Sequence, residues 1–224
     1  MVKGFIFDLD GVITDTADLH YLAWKELGDK IGIAIDPTFN QQLKGIGRME
    51  SLEKILHHGN KADVFSAAEK AQLAEEKNEQ YKQLINRLTP DDILPGIPSL
   101  LLELRERQIK IGLASASKNA PAIIENLELT SFFDSIADAG SVASKPAPDI
   151  FLLAAAELAV EPSEAIGIED AISGITAIQR AGMFAVGVGD KNVLQDSDYI
   201  VPSTAELSVS TILEAWERHK SEHV

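Results

Sequence analysis

Asp8 and Asp10 stand two apart, directly after the apolar run VKGFIF and ahead of Gly11, Thr14, Asp15 and Thr16. Residues i and i+2 of an extended chain point the same way, so both carboxylates can face one site. Carboxylates at the end of a buried strand are costly unless paired or bound to a cation. Taken alone, the pair fits equally a loop that caps the following turn. Other stretches add matching groups. Ser115, Ala116, Ser117, Lys118 and Asn119 close the apolar run IKIGLA with hydroxyls and a cation, and the helix start behind them offers backbone N–H groups to a phosphate oxygen. Lys145 precedes Pro146 and a helical pattern, and Glu169–Asp170 ends the run AIGI. Such oxygen-rich groups suit Mg²⁺, which takes a few carboxylates and leaves positions for water and phosphate. Phosphoryl transfer uses this set: an in-line nucleophile, a metal, and donors on the equatorial oxygens. A carboxylate can attack, because its phosphorylated form is a reactive mixed anhydride. A second carboxylate can move the proton, and a lysine can balance the charge.

The elements that must position these residues follow from the apolar pattern. Short apolar runs near residue 5, at 109–115, near 136, at 165–170, at 184–189 and near 199 predict buried parallel strands. Helical patterns alternate with them in IPSLLLELRERQ, APAIIENLEL, APDIFLLAAAELAV and AISGITAIQRAGM. The alternation predicts an α/β fold, a doubly wound, mainly parallel, Rossmann-like sheet with its site at the carboxyl ends of the strands. From 15 to 92 only helical patterns occur, including HYLAWKELGDKIGI, PTFNQQLKGIG, RMESLEKILHHG and AAEKAQLAEEKNEQYKQLI, each with a charged outer face. The expected organisation is a core of 1–14 and 93–224 with an α-helical cap domain of 15–92 inserted, hinged near Thr14–Thr16 and Pro90–Pro95. GVGD at 187–190 lacks the dinucleotide fingerprint and reads as a turn.

The chain has 224 residues, no cysteine and a net charge of −15. Disulfides, thiolate metal sites and a cysteine nucleophile are therefore excluded. The negative field disfavours nucleic acid and anionic membranes as partners. A strand pattern at the start and the lack of a long apolar run predict a cytoplasmic protein without a membrane span.

FDLDGVITDT, SAS, KPAPD and GIEDAISGI, in this order and spacing, resemble the four motifs of the haloacid dehalogenase-like (HAD) phosphotransferases. The resemblance covers the whole chain and implies the HAD core with a helical cap. DLDGVITDTADLHYLAW, LKGIGRMESL, LASASKN and ASKPAPDIF are similar, within that superfamily, to the bacterial β-phosphoglucomutases. This implies an isomerase acting on sugar phosphates: β-glucose 1-phosphate and glucose 6-phosphate, interconverted through glucose 1,6-bisphosphate. It implies Asp8 as the nucleophile and Asp10 as the general acid/base. Mg²⁺ would be held by Asp8, the backbone carbonyl of Asp10, and Asp170, with Glu169 in or beside that shell. Ser115, Ala116 and Lys145 would bind the transferring phosphoryl; Arg48, Ser117 and Asn119 the other phosphate, with Lys118 nearby. Thr16, His20, Trp24, Gly45 and Ile46 complete the implied substrate contacts, and a monomer is expected.

Single cap residues say less by themselves. Two glycines in LKGIGR let the backbone approach a ligand, and Arg48 can grip a phosphate bidentately, yet the stretch equally fits a helix–turn–helix corner with a surface arginine. His20 and Trp24, four apart, share a helix face as ordinary packing would have them; the resemblance implies that His20 steers Asp10 or holds the cap closed. Gly47 departs from the family's expected small hydroxyl residue before the arginine, removing one hydrogen bond. His57 and His58 lack partners at metal-ligand spacing and read as surface residues. Two alternatives stay open: a sugar-phosphate phosphatase of the same superfamily, and a catalytically silent binding protein on the same fold, against which the intact Asp8, Asp10, Lys145 and Asp170 speak.

Overall fold

The computed structural model describes residues 1–43 and 46–222. Six parallel strands form one sheet: β1 (Gly4–Phe7), β2 (Lys110–Leu113), β3 (Ser135–Ile136), β4 (Ala165–Glu169), β5 (Phe184–Val188) and β6 (Tyr199–Val201). Their order is β3-β2-β1-β4-β5-β6. The chain winds outward from β1 through β2 and β3, then returns to the other side of β1 for β4. The order therefore reverses between β1 and β4, and a crevice opens outside the carboxyl ends of strands at such a point. Phe5, Ile6 and Phe7 are fully buried, as expected of a central strand covered on both faces. Phe7 is level with Leu113 on one side and Ile168 on the other. The Asp8 N–H continues the ladder to Ile168 O (2.9 Å), and Ala114 N–H to Phe7 O (2.8 Å). Asp8, Ser115 and Glu169 thus leave the sheet at nearly one level.

The chain forms two compact units, Met1–Asp15 with Thr89–Val224, and Thr16–Leu88. In the first, α5 (Ile97–Glu106), α6 (Ala120–Asn126), α7 (Asp149–Glu157), α8 (Ile172–Arg180) and α9 (Val209–Glu222) accompany the sheet. Phe151, Ala154, Ile175 and Ile178 from α7 and α8 join Ile6 and Ala165 in one apolar cluster. The second unit holds α1 (Ala17–Ile31), α2 (Pro37–Asn40), α3 (Arg48–His58) and α4 (Ala67–Ile85). Its core gathers Trp24, Leu27, Phe39, Leu52, Ile55 and Leu56. A capping box fixes the start of α4: Ser66 N–H donates to the Glu69 carboxylate (2.7 Å), and Glu69 N–H donates back to Ser66 Oγ (3.3 Å).

One expectation needs correction. The helix expected through PTFNQQLKGIG ends early. Asp36 caps α2 at Phe39 N (2.7 Å), a 3₁₀ turn covers Gln41–Leu43, and Gly47 is extended at φ −64°, ψ 154°. Glycine disfavours the helix interior, so the segment breaks before α3. The outer face of α4 carries the exposed Glu69, Glu75 and Glu79, while Lys77 on its inner face is 3% exposed. Helix α9 escaped the sequence reading, because Val209, Ile212, Ala215 and Trp216 make a thin buried stripe among polar residues. The segment after β5 turns at Gly189, as GVGD suggested. No helix among the described residues is long and apolar enough to cross a membrane.

Candidate active site

The centre of the first unit is an ion-pair bridge. Lys145 Nζ donates to Asp8 Oδ1 at 2.6 Å and to Glu169 Oε2 at 2.8 Å. Lys145, Asp8 and Glu169 side chains are only 9%, 11% and 2% exposed. Burial opposes the lysine's charge, but Asp8 and Glu169 outweigh it and hold the amine protonated. Asp170 adds a third carboxylate: one oxygen each of Asp8, Glu169 and Asp170 lies within 4.8 Å of the others. Burial first, then the Asp8 charge, raises the pKa of Glu169; Asp170, exposed at the rim, is raised in the same direction by partial desolvation and then the Asp8 charge. Three carboxylates thus face one ammonium, an excess of negative charge on hard oxygens that a small divalent cation would neutralise. The donor set fits Mg²⁺. The Asp10 carboxylate is not one of the three.

Local backbone features make this convergence possible. After β1 the chain closes a tight loop, with Ile13 N–H donating to Leu9 O (2.8 Å) and Gly11 N–H to Thr14 O (2.8 Å). Gly11 has φ +76°, and a Cβ there would lie 2.1 Å from Asp170 Oδ2. On α8, a Cβ at Gly174 would lie 2.0 Å from the Glu169 carboxyl carbon. Both glycines clear space for a carboxylate. Neither was singled out in the sequence, although each sits inside a quoted motif.

The hydroxyl-rich stretch behaves differently from expectation at its backbone. Ser117 N–H donates to Ser115 Oγ (3.1 Å) and Asn119 N–H to Ser117 Oγ (3.2 Å). Both bonds form short serine turns, and the Asn119 N–H, at the helix start expected to offer donors to a phosphate, is engaged in one of them. Ser115 is buried, Ser117 and Asn119 are partly exposed, and Ala116 and Lys118 are exposed. Ser115, Ala116, Ser144 and Lys145 line one small cavity.

The second unit carries its own polar cluster. His20 stacks on Tyr81 (centroids 4.0 Å apart, 14° between planes). Tyr81 OH donates to Thr16 Oγ1 at 3.0 Å. The Lys77 ammonium lies 2.8 Å from His20 Nδ1 and over the rings of Trp24 (4.7 Å) and Tyr81 (4.8 Å). An ammonium only donates, so Nδ1 accepts and His20 is neutral, with its proton on Nε2. Burial, then the charges of Lys77 and Arg48, push its pKa down to about 3. Trp24 is 3% exposed and belongs to the unit's core, and Ile46 packs against the same core. Gly45 lies outside the described residues. Arg48, at the start of α3, donates from Nη1 to Glu75 Oε2 at 3.0 Å. Gly47 before it is exposed, and a Cβ there would meet nothing within 4 Å. His57 and His58 are exposed, His58 stacked on Phe39. Lys77 and Tyr81 were missed, though a signal existed. The buried stripe of α4 runs Ala74, Lys77, Asn78, Tyr81, Ile85, and a lysine at a stripe position marks a charge turned inward.

Comparison with known proteins agrees with this geometry. The chain is 49% identical over 220 residues to a β-phosphoglucomutase of Bacillus subtilis (strain 168), covering 98% of this chain and 97% of that protein. It is 35% identical over 186 residues to the fructose-1-phosphate phosphatase of Escherichia coli (strain K12), covering 83% of this chain and 95% of the relative. The crystal structure of a β-phosphoglucomutase from Clostridium difficile superposes with a TM-score of 0.93 at 52% identity, over 99% of this chain and all of the other. The sequence pattern of the haloacid dehalogenase-like hydrolases matches residues 2–182. With that match, the parallel sheet and the carboxylates gathered at its switch point, the chain belongs to the haloacid dehalogenase-like hydrolase family.

Proposed function

We propose that this chain interconverts β-D-glucose 1-phosphate and β-D-glucose 6-phosphate through β-glucose 1,6-bisphosphate, the reaction of a β-phosphoglucomutase. The observation that carries the phosphoryl-transfer part is the Lys145 amine bound to both Asp8 and Glu169 beside Asp170. Near full-length similarity to β-phosphoglucomutases supports the choice of substrate.

In this reading an Asp8 carboxylate oxygen attacks phosphorus. The P–O bond to the sugar breaks as the acyl phosphate forms, and Asp10 delivers a proton to the departing sugar oxygen. In the second half Asp10 removes the proton from the other sugar hydroxyl, which takes the phosphoryl from Asp8. Lys145, freed from part of its pairing as Asp8 esterifies, stays beside the transferring oxygens and balances their charge. Asp8, Asp170, the Asp10 carbonyl and the neighbouring Glu169 would hold Mg²⁺, which supplies charge neutralisation of the phosphoryl oxygens. Ser115 and Ala116 bind the moving phosphoryl. Arg48, Ser117 and Asn119 take the phosphate that does not react, and Thr16, His20 and Trp24 shape the helical unit around the sugar.

A second reading, hydrolysis of a small sugar phosphate, is favoured by the 35% identity to fructose-1-phosphate phosphatase. There water, not a sugar hydroxyl, would attack the acyl phosphate. A coupled assay with β-glucose 1-phosphate, primed with β-glucose 1,6-bisphosphate, separates the two. Glucose 6-phosphate well in excess of released phosphate supports the mutase; phosphate without the isomer establishes the phosphatase.

A further inference from the structure

Arg48 is partly exposed, but its guanidinium is already paired. Its Nη1 donates to Glu75 Oε2 at 3.0 Å, across from α3 to α4. The other oxygen of the same carboxylate, Oε1, accepts from Asn78 Nδ2 at 3.2 Å. Asn78 is 6% exposed, so a buried amide anchors an otherwise exposed glutamate. These two donors hold the Glu75 pKa down, Asn78 contributing most. A carboxylate with both oxygens bound, one of them to a guanidinium, is shaped like one face of a phosphate.

We infer that Glu75 is a specificity-determining residue that stands in for the distal phosphate on Arg48 and must be displaced by it. The inference rests on the proposed role of Arg48 as the distal-phosphate ligand. A carboxylate carries one negative charge and a phosphate monoester close to two, with three acceptor oxygens. A sugar bisphosphate can therefore take Arg48 from Glu75, whereas a ligand with only a hydroxyl or a carboxylate at its far end cannot. Ligands that fail to displace Glu75 leave the pair intact and gain nothing from Arg48. Glu75 thus sets a threshold in favour of doubly phosphorylated ligands, at the cost of some affinity for all of them.

The test is a cycle of four proteins: wild type, Glu75→Gln, Arg48→Ala and the double variant. Gln keeps the shape and helix propensity of Glu and removes the charge. For each, KM and kcat for β-glucose 1,6-bisphosphate are measured in the isomerisation of β-glucose 1-phosphate. Glu75→Gln should lower KM about two- to fivefold, the range an exposed ion pair supports, and leave KM unchanged when Arg48 is already Ala. An equal fall in both backgrounds would mean that only the net charge acts, and would overturn the inference. So would a KM that rises or stays put in Glu75→Gln while Arg48→Ala raises it. If Arg48→Ala itself leaves KM unchanged, the distal-phosphate assignment of Arg48 fails, and the role of Glu75 fails with it.

Discussion

Replacing Lys145 by Met probes the bridge that organises the core site. Methionine keeps an unbranched chain of similar length over the Phe151 ring, where Nζ now lies 5.1 Å from the centroid, so no large cavity opens. The charge is lost from between Asp8 and Glu169, 2.6 and 2.8 Å away. Were both carboxylates to remain ionised and buried, the cost would be about 3–5 kcal/mol, as for a buried pair stripped of one partner. Glu169 already has a raised pKa, from burial and the Asp8 charge, and takes up a proton more easily than an ordinary glutamate. The expected cost is therefore nearer about 2 kcal/mol, the scale of a lost charge-assisted hydrogen bond. For a chain of this size that lowers Tm by about 4–8 °C. Turnover should fall further, by about 10²–10³-fold, because a fixed donor on the developing charge is removed. Circular dichroism melting reports the first effect, and Mg²⁺-saturated isomerisation and acetyl phosphate hydrolysis report the second. A folded Lys145→Met protein that keeps more than a tenth of wild-type turnover in both assays would refute the charge-balancing argument.

Gly174→Ala should push the Glu169 carboxylate off Lys145, because the new Cβ would sit 2.0 Å from its carboxyl carbon; turnover is expected to drop about 100-fold with helical content preserved, and wild-type rates would contradict this. His20 binds a proton only near pH 3 in the folded chain, against an ordinary 6.5, so acidification favours the unfolded state. Its stabilising effect is complete above pH 6.5 and is lost as pH falls toward 3, by about 2 kcal/mol between pH 6.5 and 5. Urea unfolding of wild type and His20→Gln at those two pH values should show the steeper loss in wild type; equal losses would count against a neutral His20. Gly47→Ser adds a side chain into open space at the N-cap of α3, where none now bonds, and should raise stability by about a few tenths of a kcal/mol in chemical denaturation; a loss of stability would show that the position is not open.

The core was largely legible because its signals are local. GFIF and FAVGV are uncharged apolar runs, IKIGL and AIGIE carry a single charge at or near a strand end (Lys110, exposed, and Glu169), and each forms a parallel strand. The site was legible where a strand end and a motif coincide, as at Asp8 and at Glu169–Asp170. The partnership of Lys145 with Asp8, 137 residues away in sequence, was not. No spacing rule links a loop before α7 to the end of β1; only the sheet order brings them together. Helix α4 hid its inward lysine because eleven of its residues are charged or amide-bearing, so one more lysine did not stand out from the solvent face. Glu75 was silent for the same reason, since its meaning comes from Arg48 and Asn78, its neighbours in space.

Transfer of a radiolabelled phosphoryl group from β-glucose 1,6-bisphosphate tests the central claim most directly. After acid quenching, wild-type protein should carry label on the peptide containing Asp8, and on continued turnover with unlabelled β-glucose 1-phosphate that label should pass into sugar phosphate. Asp8→Asn, which cannot form the acyl phosphate, should carry none and lose at least about a thousandfold in turnover. Label found only in free phosphate, or protein labelling that persists in Asp8→Asn, would contradict the account.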